Sequence, residues 1–156
     1  MTVLAGGTDV MVQYRAGLVS PSILLNIRRL PELMRVSCDE RTLIGALTTH
    51  RQLTVDPMVR NRHAALAEAA ATVGGRQTQN MGTIAGNLVN ASPAADLLPV
   101  LLVSDATVIL TSATTTRELG VAEFVVGRRA TLRRHDELVT MLSLEPTGPR
   151  SGETYL

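Results

Sequence analysis

The sequence predicts an α+β fold in a single domain, and three observations carry that prediction. Short β-type runs alternate with helical ones, and no regular strand–helix–strand spacing repeats along the chain. The 156 residues are 45% hydrophobic with a mean hydropathy of +0.16, which is enough for one substantial core and too apolar for a disordered chain.

The elements follow in order. Thr2 to Leu4 reads as the end of a strand, and Thr8 as an N-cap for a helix from Asp9 to Ala16 that turns Val10, Met11 and Tyr14 inward. Ile23 to Ile27 reads as a strand. Pro31 suits the first position of a helical turn through Met34. Thr42 to Leu47 reads as a second strand, and Thr49 to Leu53 begins a helical passage that Pro57 breaks. A helix is predicted from Ala64 to Val73, because Leu66, Ala69, Ala70 and Val73 share one face and Gly74-Gly75 ends it. In the next helix Ser92 is placed as cap, Pro93 at the first position and Asp96 in the first turn, with the run Leu97 to Val103 as core. Ala106 to Thr111 and Leu138 to Leu144 read as strands, Ser112 to Thr116 as a hairpin loop and Val121 to Val126 as a short helix. There is no internal repeat and no low-complexity stretch.

Composition removes several classes of function. All 15 basic residues are arginine, so lysine-dependent chemistry such as a Schiff base is absent from this sequence. The single cysteine, Cys38, forms no internal disulfide and no iron–sulfur cluster by itself, and a reducing, cytoplasmic setting fits. Net charge is +1 and aromatics are 2% of the chain, which argues against nucleic-acid binding. No signal peptide is visible, and the longest strongly apolar run, Leu97 to Val103, is too short to span a bilayer. The three histidines lack metal-like spacing, so His50, His63 and His135 read as ordinary packing or surface residues; no metal site and no catalytic residue is predicted. Cys38 reads as a small packing residue and the arginine pairs as solvated faces.

Two glycine-bearing segments carry more information: Leu4-Ala5-Gly6-Gly7-Thr8-Asp9-Val10, and Met81-Gly82-Thr83-Ile84-Ala85-Gly86-Asn87-Leu88. Bare backbone permits positive φ and close approach, so N–H donors can converge on a phosphate. Two such loops suggest a diphosphate held from both sides. Gly-x-Gly-x-x-Gly and Gly-Lys-Ser/Thr are both absent, so neither the Rossmann fingerprint nor a phosphate-binding loop of the nucleotidase kind explains them. Singly, each would read as an ordinary turn.

Together with Gln77-Thr78-Gln79-Asn80 ahead of the second segment, Ala91 to Pro99, Ala122-Glu123-Phe124 and Asp136 to Val139, these motifs resemble the FAD-binding (medium) subunit of molybdenum hydroxylases, the xanthine dehydrogenase and carbon monoxide dehydrogenase family. The resemblance covers nearly the whole chain in the right order. It implies an FAD-binding domain of the vanillyl-alcohol oxidase (PCMH) type over residues 1–156, with mixed sheets, packed helices and the flavin between two subdomains. It also implies a complex with an iron–sulfur subunit and a molybdopterin subunit, in which this chain passes electrons from the clusters through FAD to NAD or another acceptor. The hydroxylated substrate would be chosen in another polypeptide.

Carried residue by residue, the resemblance sets Val3, Leu4, Ala5, Gly6, Gly7, Thr8, Asp9 and Val10 around the FAD diphosphate. Thr83, Ile84, Ala85, Gly86 and Asn87 lie on the cofactor's other side, and Asp96 matches a position that hydrogen-bonds FAD. Ala85 stands where the family often has glycine, a methyl tolerated if φ is negative there. The family's opening segment, a lysine near the flavin ring and a C-terminal domain have no counterpart in this sequence, and Tyr155-Leu156 resembles the start of another strand, so the chain is expected to be a fragment. Two rivals remain: a stand-alone flavin oxidoreductase of the same fold, and a truncated, cofactor-free interaction module.

Overall fold

The computed structural model describes residues 1–146, 148 and 151–156. The chain opens with strand β1 (Thr2–Leu4), helix α1 (Val10–Arg15) and strand β2 (Leu24–Asn26), and β1 pairs with β2 in parallel. A 3-10 turn at Pro31–Met34 leads into β3 (Val36–Cys38) and β4 (Thr42–Gly45). A run of helices follows: α2 (His50–Val55), α3 (Pro57–Arg62), α4 (Ala64–Thr72), α5 (Arg76–Met81), α6 (Ile84–Asn90) and α7 (Leu97–Val103). The remainder is β5 (Thr107–Thr111), β6 (Thr116–Gly120), α8 (Val121–Phe124), β7 (Val125–Gly127), β8 (Ala130–Thr131) and β9 (Leu138–Leu144).

The α+β prediction holds. Five antiparallel strands in the order β3-β4-β9-β5-β6 form the main sheet. Alternation sends Val108, Leu110, Leu142 and Leu144 into the core, each fully buried. On β9 the register against β5 shifts between Ile109 and Leu110, leaving Thr140 unpaired in the ladder, and its carbonyl instead accepts the Ala46 N–H at 3.0 Å. Helices α2, α4 and α7 pack into the same core. The face of α4 is almost all alanine (Ala65, Ala67, Ala69, Ala70 around Leu66), so its neighbours come close.

Several local expectations need correction. Asp9, not Thr8, holds the N-cap position of α1, and Tyr14 is 48% exposed; among the described residues of that helix none is fully buried. The β2 and β4 strands stop short of Ile27 and Leu47, although each still donates its N–H to a carbonyl distant in sequence, Ile27 to Leu4 O at 3.1 Å beside the β1–β2 ladder and Leu47 to Leu33 O at 2.7 Å. The passage begun at Thr49 does break at Pro57, α2 ending at Val55, and Pro57 also opens the next helix, which Asp56 caps by accepting from the N–H groups of Met58 and Val59. Ser92-Pro93 forms a turn, and α7 starts only at Leu97 with Asp96 at its N-cap position. The second glycine segment is not a loop for most of its length: Ile84 to Asn90 is helical. Tyr155-Leu156 continues no strand; the Tyr155 N–H reaches the Glu68 carboxylate on α4.

A candidate dinucleotide cleft between the two glycine segments

The two segments meet. A Cβ on Gly6 would fall inside the van der Waals envelope of the Met81 carbonyl oxygen and stand 2.9 Å from Gly82 Cα. A Cβ on Gly82 would in turn stand 2.9 Å from Nε2 of His50. Gly6, Gly82 and His50 are therefore stacked with no room for a methyl between them. Gly7, at φ +77, takes the left-handed conformation that glycine adopts without strain, and this swings the chain into α1. Beside the crossing opens a cleft of about 420 Å³.

Most of the predicted residues line this cleft: Val3, Ala5, Gly6, Gly7, Thr8, Asp9 and Val10 on one wall, and Thr83, Ala85, Gly86 and Asn87 on the other. Three do not. Leu4 packs beneath Gly7, Ile84 is fully buried in the core, and Asp96 stands outside the lining, with the Tyr155 hydroxyl donating to its Oδ1 at 3.4 Å.

The walls differ in their hydrogen bonding. Among the described residues, the N–H groups of Gly6, Gly7, Thr8 and Asp9 donate to no protein acceptor. On the opposite wall every early N–H is taken: Ile84 donates to Thr48 O (3.0 Å), Ala85 to Ala46 O (3.3 Å), Gly86 to Thr83 Oγ1 (3.1 Å) and Asn87 to Thr83 O (2.9 Å). This corrects the picture of donors converging from both sides. The α6 wall offers instead bare, exposed Gly86 and the Asn87 side chain, whose Oδ1 is buried without a partner. Ala85 is helical with negative φ, so its methyl is accommodated.

His50 and Arg133 also line the cleft, and sequence reasoning misses both. His50 is the first residue of α2, set there by a capping box in which Thr49 Oγ1 accepts the Gln52 N–H while Gln52 Oε1 accepts the Thr49 N–H. The Thr49…Gln52 spacing is legible in the sequence; the nearness of His50 to Gly82 is not. Burial holds the His50 pKa down to about 4, opposed by the negative charge of Asp96, so the ring is neutral at pH 7. Arg133, from a pair read as solvated, lines the cleft with its Nη1 donating to the carbonyls of Arg134 and Glu137. That turn is pinned by Glu137, whose side chain is 2% exposed and binds Arg117 through both carboxylate oxygens (2.7 and 2.9 Å), keeping its pKa near 2. His63 is a packing residue as predicted, buried with Nε2 2.8 Å from Thr42 Oγ1.

Residues 1–146 match the family model described as the FAD binding domain in molybdopterin dehydrogenase, and the chain belongs to that family. It is 33% identical over 157 aligned positions to the nicotinate dehydrogenase FAD-subunit of Eubacterium barkeri, covering 98% of this chain and 53% of that protein. It is 35% identical over 142 positions to the glyceraldehyde dehydrogenase medium chain of Sulfolobus acidocaldarius, covering 90% and 50%. In structure it is similar to carbon monoxide dehydrogenase from Hydrogenophaga pseudoflava lacking the Mo-pyranopterin moiety, with a TM-score of 0.92 at 27% identity over 95% of this chain and 52% of that one. The chain thus spans about half the length of the relatives it matches. No helix among the described residues is long and apolar enough to cross a membrane.

Proposed function

We propose that the chain holds FAD in the cleft between Gly6–Val10 and Thr83–Asn87, and that it belongs to the electron-transfer subunit of a cytoplasmic molybdenum hydroxylase. The residues fit the group. Free N–H donors at Gly6 to Asp9 and the Arg133 guanidinium suit a diphosphate, bare Gly86 admits close approach, and the orphaned Asn87 Oδ1 suits a hydroxyl or N–H donor. The row of unpaired N–H groups carries the reading, because a protein rarely leaves four consecutive donors without acceptors unless water or a ligand takes them. When bound, FAD supplies reversible electron uptake and release.

The chain's own part is to bind and orient. The α6 wall, with its early donors used, keeps a fixed surface; the loop wall supplies the hydrogen bonds. The electrons would come from an iron–sulfur subunit fed by a molybdopterin subunit and leave to NAD or another acceptor. Support for these partners lies in the resemblance to medium and FAD subunits of dehydrogenases.

The test is a spectrum. The purified chain incubated with FAD and desalted should retain flavin absorbance, and acid precipitation should release the yellow colour into the supernatant. Colour held in the pellet would signal a covalent link, and a colourless protein with no FAD affinity would favour the interaction-module alternative. Co-purification of the chain within its natural subunit with iron–sulfur and molybdenum proteins would separate the relay from a stand-alone oxidoreductase.

A further inference from the structure

Asn90 ends helix α6 and lines the cleft one turn beyond Asn87, on the same face of that helix. Its side chain is held from outside the cleft. Nη1 of Arg129, an exposed residue in the turn between β7 and β8, donates to Asn90 Oδ1 at 2.7 Å. Arginine carries donors only, so the amide oxygen has to face Arg129 and both Nδ2 protons are left over. Among the described residues no protein acceptor takes them. The hold costs backbone strain, since the Arg129 N–H donates to Ala91 O at 2.9 Å and the two residues sit at φ +54 and +42, where side chains are uncommon. Capping alone explains that backbone bond. It does not call for a guanidinium on a side-chain amide. Asn87 shows the complementary vacancy, its Oδ1 buried without a partner. The cleft face of α6 therefore presents an acceptor at Asn87 and, one turn on, a donor at Asn90.

We propose that Asn90 is a further cofactor-binding residue, its Nδ2 donating to FAD beside the acceptor Asn87 Oδ1, and that Arg129 is the residue that positions it. The group recognised is an edge on which hydrogen-bond acceptor and donor alternate. Both heterocycles of FAD carry such an edge, the flavin at its carbonyls and ring N–H and the adenine at its ring nitrogens and amino group. Phosphate is the poorer match, because it offers Asn87 no donor and the lining around Asn90 is apolar at Val89, Leu138 and Val139. Arg129 does not line the cleft and acts on the cofactor only by fixing which end of the amide faces it. The proposal rests on the cleft being the FAD site.

The test is a double-mutant cycle on the full chain, read by FAD titration with flavin fluorescence, with circular dichroism to check folding. Asn90→Ala should bind FAD roughly fivefold more weakly than wild type, as expected for one lost neutral hydrogen bond. Arg129→Met should weaken binding roughly threefold by itself and no further in the Asn90→Ala background, where there is no amide left to place. An arginine that only supports the fold would cost the same in both backgrounds. ADP and FMN, used as competitors of FAD, locate the edge: the Asn90→Ala loss should reappear with ADP alone for adenine or with FMN alone for flavin. A folded Asn90→Ala variant with wild-type affinity overturns the proposal, as does an Arg129→Met loss that is equal with and without Asn90. A loss that reappears with neither competitor, or equally with both, also overturns it. Wild type that fails to bind FAD overturns the FAD reading of the cleft, and this proposal with it.

Discussion

The loop wall and the α6 wall of the cleft show opposite solutions to the same task. Gly6 to Asp9 keep their N–H groups unspent, stand on a two-stranded sheet whose β2 is exposed throughout, and lead into a helix with no buried residue. Ile84 to Asn87 spend every backbone donor, on the Ala46 and Thr48 carbonyls of the β4–α2 turn or on the Thr83 cap, and their helix is rooted in the main core through Ile84 and Leu88. A rigid wall thus faces a wall whose hydrogen bonds are completed only by what enters. Away from the crossing and from bare Gly86, substitutions in the first wall should act on affinity, and those that remove an anchor of the second on stability.

The largest effect is expected where the walls touch. Gly6→Ala drives a methyl into the Met81 carbonyl, a backbone atom that cannot rotate away, so stability should fall by about 3 kcal/mol, the upper range for overpacking, and FAD affinity with it. Ala71→Val on the exposed side of α4 is the matched control; Ala70 is fully buried and would itself be overpacked. Urea denaturation and FAD titration check this, and an unchanged midpoint for Gly6→Ala would mean the walls are not in contact.

Acid should loosen the ground beneath the α6 wall. His50 and His63 have folded pKa values below the unfolded 6.5, so the stability they confer is complete above pH 6.5 and is lost as pH falls toward about 4, the folded value for His50. His50 alone contributes on the order of 3 kcal/mol to that loss. Glu137, near 2 when folded, extends the loss below pH 4.5. Denaturation at pH 7, 5.5 and 4.5 should show the decline, and His50→Gln should flatten it; an identical slope in that variant would contradict the assignment.

Thr83→Val removes the cap that accepts the Gly86 N–H, and should cost about 1 kcal/mol of stability. FAD affinity of the folded fraction should barely change, and a large selective loss of affinity would show that the α6 wall also binds through Thr83. The smallest effect belongs to Gly86→Ala. Its Cβ would stand 2.9 Å from Thr83 Oγ1, while alanine favours the helix, so the two contributions offset to within about 1 kcal/mol and the loss appears only in FAD titration.

What can be read from the sequence follows from how local each signal is. Pro31, the alanine face ending at Gly74, and the alternation of Thr107 to Thr111 and Leu138 to Leu144 each state their structure within a few residues, and the structure bears each out. Strands β3, β7 and β8 are two or three residues long and show no period. Gly82 and Gly86 suggest an open loop, but helix α6 exists because the carbonyls of Ala46 and Thr48 and the hydroxyl of Thr83 satisfy its first N–H groups, and two of those three lie far away in sequence. His50 and Arg133 are illegible for the same reason: each is brought to the cleft only by tertiary packing.

Strand β9 sits in the middle of the main sheet, between β4 and β5, although it is the last of these strands along the chain. During synthesis β4, already paired with β3, therefore waits for almost the entire domain before it finds its second neighbour, and so does Ala46, whose N–H is claimed by Thr140. Such distant pairings slow folding, because a long stretch of chain must be closed before any contact rewards it. The turn that supports α6 is thus finished only when the ribosome has released β9, and a nascent chain stopped before Leu138 would have its glycine segments in full but no wall on which to set them.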